Sequence, residues 1–224
     1  MRFALGLSAA EAAKIAGLKN AQSWQRYENG LRSMPDSTAA LFALRAAGLG
    51  MILKAARFAA FAHHGQTRKG AGSPPYIIHP MSVAYRLAEA FVTDPEIITA
   101  AILHDTIEDC AVTRADLKRE FGARVAGIVD ELTIDESLPP EEQRAFRMKK
   151  APTMSADAAT VKLADMVTNL DDLIHCPPSH WPAEKVRARA AMYLEAAKLM
   201  PPANARLLRA VFEKCGTLLG DEIG

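Results

Sequence analysis

The chain has 224 residues, of which 50% are hydrophobic and 24% are charged, the proportions of an ordinary globular protein. Its formal net charge of +1 gives no overall attraction to polyanions, so any basic site has to be local. The three cysteines are far apart without Cys-x-x-Cys spacing, which argues against a cysteine-based zinc site and favours a reducing, cytoplasmic compartment. Because no apolar run approaches about eighteen residues, we expect no membrane span.

Alanine is abundant and runs of β-branched residues are scarce, so the sequence predicts an all-α fold. Gly48 and Gly50 interrupt the helical pattern, and we place a domain boundary there. The predicted organisation is a small N-terminal helical segment over residues 1–48 and a larger helical domain over residues 51–224.

Residues 7–35 carry the signals of two short helices. Ser8 and Glu11 form a capping box, and Gly17 ends the first helix. Asn20 can cap a second helix that ends at Asn29-Gly30.

The sequence from Leu7 to Leu18, followed by Trp24–Gly30, resembles the helix-turn-helix of Cro/C1-type repressors. That resemblance implies DNA binding through residues 7–34, with the second helix facing the major groove. The implied DNA-facing side chains include Gln22, Gln25 and Arg26. The alternative is a small helical appendage used for packing or dimerisation.

A helix from Pro35 to about Ala47 and another from Met51 to His64 are predicted next. His63 lies on the apolar face of the second helix, where a histidine is either a satisfied core residue or a ligand. Arg68-Lys69 then opens a loop rich in glycine and proline that ends at Pro75. This loop is either a solvated turn or a basic clamp for phosphate groups.

The most informative stretch runs from Ile102 to Asp109. Asp94 is predicted to cap its helix, with Pro95 at the first helical position. The apolar face of that helix continues into His104 and Asp105, each followed four residues later by a carboxylate, Glu108 and Asp109. On one continuous helix these pairs would stack on one face. Burying such groups is costly unless they are paired or bind a metal, so a metal site is favoured over a solvated helix end.

The remaining pattern is helical throughout. Within the charged helix Glu141–Lys150, Arg144 is one of several cations that could reach a phosphate. Asp165 and Asn169 are four residues apart on the inward-facing side of a predicted helix. Asp165 is therefore a candidate for a further acidic ligand, with Asn169 beside it. The predicted helices are Met81–Ala90, one capped by Thr113 and ended by Phe121-Gly122, Ala123–Leu132, Glu141–Lys150, Ala156–His175, Ala183–Leu199 and Ala203–Leu218.

The order His63, His104-Asp105, Asp165 resembles that of the HD-domain metal-dependent phosphohydrolases. Further motifs bring the resemblance closer to the RelA/SpoT hydrolase domain, and closest to the single-domain small alarmone hydrolases. They are Arg68-Lys69, Pro75–Pro80, Leu103–Asp109, Phe121-Gly122, Val161–Asp165 and Asn169-Leu170.

The resemblance implies hydrolysis of the 3′-pyrophosphate of ppGpp and pppGpp by an all-helical, Mn²⁺-dependent enzyme. Fe, Co or Zn can occupy similar sites. Glu108 and Asp109 would handle the attacking water, and His79 would support the site. The implied metal ligands are His63, His104, Asp105 and Asp165, and the implied substrate-binding residues are Arg68, Lys69, Asn169, Lys162 and Arg144.

Two alternatives stay open. Many relatives of this type carry Lys or Arg where this chain has Met166, so the substrate of the same metal site could be another nucleotide or phosphoester. The second alternative is a DNA-binding regulator whose helical domain senses a nucleotide. The sequence does not determine the oligomeric state.

Overall fold

The computed structural model describes residues 7–68, 72–134 and 137–220, where the regular elements are helices. The predicted all-α fold is confirmed. Within those residues, extended pairing is limited to an isolated bridge between Thr67 and Pro75. The helices are α1 (Ala9–Ile15), α2 (Ala21–Glu28), α3 (Asp36–Ala62), α4 (Ile78–Glu89), α5 (Pro95–Leu103), α6 (Thr106–Asp109), α7 (Arg114–Phe121), α8 (Ala123–Leu132), α9 (Pro140–Lys150), α10 (Ala156–His175), α11 (Ala183–Leu199) and α12 (Ala205–Leu219).

The chain divides into two compact units, residues 1–53 and 54–224, and the division falls within α3. The sequence predicted two separate helices here, with a break at Gly48 and Gly50. That prediction is wrong, because α3 continues through both glycines for 27 residues. A glycine inside a helix costs about 1 kcal/mol relative to alanine, and the many good helix formers around these two sustain the helix.

In the first unit the predicted capping signals are present. The Ser8 hydroxyl accepts a hydrogen bond from the Glu11 amide, and the Glu11 carboxylate accepts one from the Ser8 amide. Asn20 caps α2 through the amide of Ser23. The small core of this unit contains Ala12, Ala13, Ala16, Trp24 and Phe42.

In the second unit α10 is the central helix. It packs against α4, α5, α8, α11 and α12, and most of its residues are buried. A helix buried on so many sides needs apolar residues around its circumference, which α10 supplies from Ala158 to Leu173 with the exception of a few polar groups. Asp165 is one of those buried polar groups, at 4% exposure.

Helices of the second unit begin and end largely where their caps predict. Asp94 caps α5 by accepting a hydrogen bond from the Glu96 amide. Thr113 and Asp116 form a capping box at the start of α7, and Gly122 follows its end with φ +92°. None of the described helices is both long and apolar enough to cross a membrane.

Candidate metal and nucleotide site

The segment that carries His104 and Asp105 is a break between two helices. The sequence predicted one continuous helix, but α5 ends at Leu103 and the single-turn helix α6 starts at Thr106. Side chains replace the helical hydrogen bonds here, since His104 Nδ1 lies 2.8 Å from the Ala101 carbonyl and the Thr106 hydroxyl donates to Leu103 at 2.7 Å. The break leaves His104 buried and Asp105 facing a cavity.

Donor atoms of His79, His104 and Asp105 lie within 4.8 Å of one another and could hold a metal ion. Asp165 completes this cluster from α10. Its Oδ1 is 3.2 Å from His79 Nε2 and 3.7 Å from His104 Nε2. The structure therefore brings together three of the four ligands implied by the sequence, which are His104, Asp105 and Asp165. His79 contacts the carboxylates of both aspartates.

His63, the fourth implied ligand, belongs to the same neighbourhood without being part of the three-residue group. Its Nδ1 is 2.7 Å from Gln66 Oε1, and Gln66 in turn donates to the Asp109 carbonyl at 2.8 Å. Its ring stacks on Tyr76 with centroids 4.7 Å apart, and the Tyr76 hydroxyl donates to Asp105 at 2.6 Å. The His63 ring is thus fixed in orientation by its neighbours.

The donor chemistry of this cluster fits a divalent metal. In the part of the chain that the structure describes, the buried Nε2 atom of His63 has no hydrogen-bond partner, which is costly for a polar atom. The buried Nε2 atom of His104 faces the Asp105 carboxylate, whose Oδ2 is 3.1 Å away. In each of these two residues the other ring nitrogen contacts an oxygen acceptor, the arrangement that orients histidine ligands in metal sites. Two imidazoles and two carboxylates are a suitable ligand set for a first-row divalent ion.

The charges of the cluster are strongly coupled. Burial lowers the pKa of His104, but the carboxylates of Asp105 and Asp165 outweigh it and raise that pKa to about 10. Burial favours the neutral acid at Asp165, yet Lys162 and the two histidines hold its pKa well below the usual range. Burial also favours the neutral acid at Asp105, but His104 and His79 lower its pKa, so both carboxylates are ionised at neutral pH, as metal ligands have to be. A metal bound at His104 would have to displace the proton that the raised pKa retains on this ring.

A cavity of about 850 Å³ opens beside the cluster, within the size range of small-molecule sites. Glu108 and Asp109, the two implied catalytic carboxylates, line it together with Asp105 and Asp165. Glu108 Oε2 accepts a hydrogen bond of 3.0 Å from the Ile134 amide, which fixes its carboxylate.

Most of the implied substrate-binding residues line the same cavity. Lys162 pairs with Asp165 at 2.7 Å, and the Asn169 amide donates to Asp165 at 2.5 Å. Arg68 donates to Asn169 at 2.8 Å and to Asp172 at 2.6 Å. Lys69 lies outside the described residues.

Arg144 is placed differently from the expectation. Its guanidinium is exposed and pairs with Glu195 at 2.8 Å, and it is not among the described residues that line the cavity. Arg147, one helical turn later on α9, does line it. Several cations follow one another in this helix, and the sequence did not show which of them faces inward.

Sequence reasoning missed the far wall of the cavity. Trp181, Lys185 and Arg189 line it together with Tyr193 and His180. Lys185 Nζ lies 4.4 Å from the centroid of the Trp181 ring, and Arg189 lies 5.7 Å from it. The available signal was a tryptophan just before α11, followed at intervals of four residues by two cations of that helix. The alanine, leucine and arginine pattern of the helix was interpreted as structural.

Met166 is not among the described residues that line this cavity, although the pocket to which it belongs shares Arg147, Lys162 and Tyr193 with it. It is 2% exposed and belongs to an apolar pocket that is rich in methionine. The other apolar residues of that pocket include Leu132, Ile134, Met148, Met154, Met192 and Met200. Met166 therefore occupies an apolar pocket that adjoins the cavity, and its effect on substrate affinity stays a prediction.

In the first unit, α2 presents the polar side chains that the repressor resemblance implied. Gln22, Gln25 and Arg26 are exposed, while Trp24 on the same helix is buried in the core. This arrangement leaves the outward face of α2 available for a partner.

The fold is all-helical, and a cluster of histidines and aspartates lies beside a polar cavity. These two features place the protein in the general class of helical proteins with a candidate metal centre. The chain belongs to the HD domain family, whose model matches residues 55–195. The matched segment contains every member of the cluster, from His63 to Asp165.

Similar proteins indicate which kind of HD-domain protein this chain resembles. The guanosine-3′,5′-bis(diphosphate) 3′-pyrophosphohydrolase MESH1 of Mus musculus is 39% identical over 172 residues, covering 75% of this chain and 96% of the relative. A guanosine-3′,5′-bis(diphosphate) 3′-pyrophosphohydrolase of Vibrio cholerae is 40% identical over 118 residues, and the match covers 50% of this chain and 16% of that relative. A solved structure, described as a metazoan orthologue of SpoT that hydrolyses ppGpp, matches with a TM-score of 0.70 and 32% identity, covering 73% of this chain and 93% of that one. The resemblance to SpoT-type hydrolases is confirmed.

Proposed function

We propose that this chain is a metal-dependent (p)ppGpp 3′-pyrophosphohydrolase that converts ppGpp and water into GDP and pyrophosphate, and pppGpp into GTP and pyrophosphate. The observation that carries the proposal is the cluster of His104, Asp105 and Asp165 beside a cavity whose lining also includes several cations. Similarity to the mouse and Vibrio cholerae enzymes supports ppGpp as the substrate.

We assign the metal to His63, His104, Asp105 and Asp165, and we propose Mn²⁺ as the ion. A divalent ion held there would act as a Lewis acid that polarises water and phosphoryl oxygens. His79 contacts both carboxylates, so it would help to hold them in place for the ion. The Tyr76 hydroxyl holds Asp105 in the same way.

Glu108 and Asp109 are the proposed acid–base pair. Both line the cavity next to Asp105, so either carboxylate can accept a proton from a water that attacks the phosphorus atom. The Ile134 amide fixes Glu108, which favours Glu108 as the residue that orients this water. A positioned general base of this kind typically contributes a factor of about 10² to 10⁴ in rate.

The cavity walls hold the substrate. Arg68, with Lys69 next to it in the chain, would bind the pyrophosphate group, whose negative charge increases as the phosphorus–oxygen bond breaks. Asn169 would contact the ribose, and Lys162 keeps Asp165 ionised. On the far wall, Trp181 offers a flat surface for the base and Lys185 offers a cation for the 5′ phosphates.

A substrate panel tests this assignment. The protein loaded with Mn²⁺ is given ppGpp, pppGpp, GTP and p-nitrophenyl phosphate, and pyrophosphate and phosphate release are measured separately. We expect pyrophosphate from ppGpp and pppGpp at rates far above any release from the other two. Faster turnover of GTP or p-nitrophenyl phosphate would instead support the alternative, in which the same metal site acts on another nucleotide or phosphoester. Loading with Fe, Co or Zn in parallel tests the choice of metal.

We propose DNA binding through α2 as a second function, carried by the first unit. The exposed polar face of that helix is the observation in its favour. The test is a gel shift with a short duplex of random sequence at low and high salt. It compares the intact chain with Arg26→Ala and with the control Arg187→Ala, which changes an exposed arginine of the second unit. Binding that weakens with salt and is lost in Arg26→Ala supports the proposal, and absent binding at low salt refutes it.

A further inference from the structure

Arg68 is held by a carboxylate that faces the same cavity as the proposed substrate. Its Nη2 donates to Asp172 Oδ2 at 2.6 Å and to Asn169 Oδ1 at 2.8 Å. Its guanidinium also lies 5.7 Å from the centroid of the Tyr76 ring. Arg68 is therefore fixed in position before any substrate arrives, with its side chain 19% exposed.

Asp172 occupies the position that an anionic ligand of Arg68 would use. It lines the cavity together with Arg68, and its side chain is 49% exposed, so the carboxylate can be displaced toward solvent. The Arg68 and Asp172 pair is electrically neutral as a unit. A phosphate group that approaches this part of the cavity meets a cation whose charge is already compensated.

We propose that Asp172 is a displaceable counter-ion that pre-positions Arg68 and limits how tightly the cavity holds pyrophosphate. This inference rests on the proposed function, because it assigns pyrophosphate to the Arg68 part of the cavity. Asp172 is a positioning residue, since it acts through Arg68 and takes no part in the reacting bonds. A product that carries several negative charges would otherwise leave a fully cationic site slowly.

Asn169 links this pair to the metal cluster. It accepts from Arg68 through Oδ1 and donates to Asp165 through Nδ2. When a phosphate displaces Asp172, Arg68 keeps its bond to Asn169 and so remains directed at the cluster. The carboxylate can therefore be exchanged for the ligand without releasing the arginine.

The direct test is the binding of inorganic pyrophosphate measured by calorimetry, with the Mn²⁺-loaded and the metal-free protein. Asp172→Asn removes the charge and retains an oxygen that can accept from Arg68. We expect it to bind pyrophosphate about tenfold more tightly in both states. One unit charge beside a bound anion is worth a few RT at the effective dielectric of a protein surface, and exposure reduces that effect. Asp172→Ser, which is also neutral, serves if the first variant does not fold.

The matched control is Asp157→Asn. Asp157 also pairs with an arginine, Arg124, at 2.8 Å, but neither residue is among the described residues that line the cavity. This variant removes the same charge elsewhere on the protein, and we expect its pyrophosphate affinity to equal that of the unmodified chain. Equal tightening in both variants would mean that net charge alone is responsible, which would refute the role of Asp172.

A double-mutant cycle connects the effect to Arg68. In the Arg68→Gln background, we expect Asp172→Asn to leave pyrophosphate affinity unchanged, because the cation that it releases is gone. In kinetics, Asp172→Asn alone should lower KM for ppGpp and strengthen inhibition by pyrophosphate, without a gain in kcat. Unchanged or weaker pyrophosphate binding in Asp172→Asn, or equal tightening without Arg68, would overturn the inference. If ppGpp is not hydrolysed but pyrophosphate binding changes as expected, the counter-ion role stands and the proposed substrate fails.

Discussion

Lys162 and Asp165, three residues apart on α10, form a largely buried ion pair at the edge of the cavity, with Nζ and Oδ2 2.7 Å apart. The lysine compensates a carboxylate that is 6% exposed and adjacent to two histidines. Removing one partner of a buried pair leaves the other charge uncompensated, which costs about 3–5 kcal/mol. This pair therefore connects the stability of the central helix to the charge state of the proposed metal site.

Lys162→Met should destabilise the metal-free protein much more than the Mn²⁺-loaded protein, because a bound cation takes over part of the compensation of Asp165. Thermal unfolding with and without a chelator measures this difference. Lys54→Met is the control, since its pair with Glu120 is solvent-exposed and worth about 1 kcal/mol or less. A destabilisation by Lys162→Met that is the same in both metal states would contradict this account of the pair.

Arg147→Ala and Arg144→Ala separate the two arginines of α9. Arg147 lines the cavity, whereas Arg144 pairs with Glu195 outside it. Losing a charged contact to a phosphate costs about 1.5–3 kcal/mol, so KM for ppGpp should rise about 10- to 100-fold in Arg147→Ala. Arg144→Ala should differ little from the unmodified chain. Steady-state kinetics decides this, and a larger effect at Arg144 would restore the original assignment.

Met166→Lys tests the location of the residue that follows Asp165. Because Met166 is buried among apolar side chains, a lysine there would bury an unpaired charge and should destabilise the fold by several kcal/mol. Met166→Leu, which conserves volume, should cost less than about 1.5 kcal/mol. Chemical denaturation gives both values. A stable Met166→Lys variant with a lower KM for ppGpp would show that position 166 does reach the substrate.

The capping box of α7 gives a prediction for acid conditions. Hydrogen bonds from the Thr113 side chain and backbone, followed by Arg119, lower the pKa of Asp116 to about 2. Since the folded pKa lies below the unfolded value of about 4, the stabilisation is complete above pH 4 and is lost as the pH falls toward 2. The stability difference between the unmodified chain and Asp116→Asn should shrink over that range, as urea unfolding at several pH values would show. A difference that does not change with pH would argue against an ionised Asp116 in the cap.

Local signals predicted most of the fold. The caps at Ser8, Asn20, Asp94 and Thr113 are side-chain hydrogen bonds within a few residues, so the sequence contains all of their partners. The continuity of α3 was missed because two glycines carry a strong local signal for a break, while the support that keeps the helix intact is distributed over its 27 residues.

The break at His104 was missed for a related reason. The apolar pattern of α5 points to a continuing helix, and the termination depends on the rotamers by which His104 and Thr106 reach carbonyl groups. Histidines and aspartates on apolar faces could be recognised from spacing. Two features depend on how helices distant in sequence pack together. They are which cation of a charged helix faces the cavity, and the wall formed by Trp181 and the α11 residues that follow it.

The most direct test of the central claim is pyrophosphate release from ppGpp with Mn²⁺, measured for the unmodified chain, Asp105→Ala and Glu108→Ala, with bound metal determined in each. We expect release by the unmodified chain and a loss of at least about 100-fold in both variants. Metal should be lost in Asp105→Ala and retained in Glu108→Ala. No release by an unmodified chain that holds its metal, or full activity in Glu108→Ala, would contradict it.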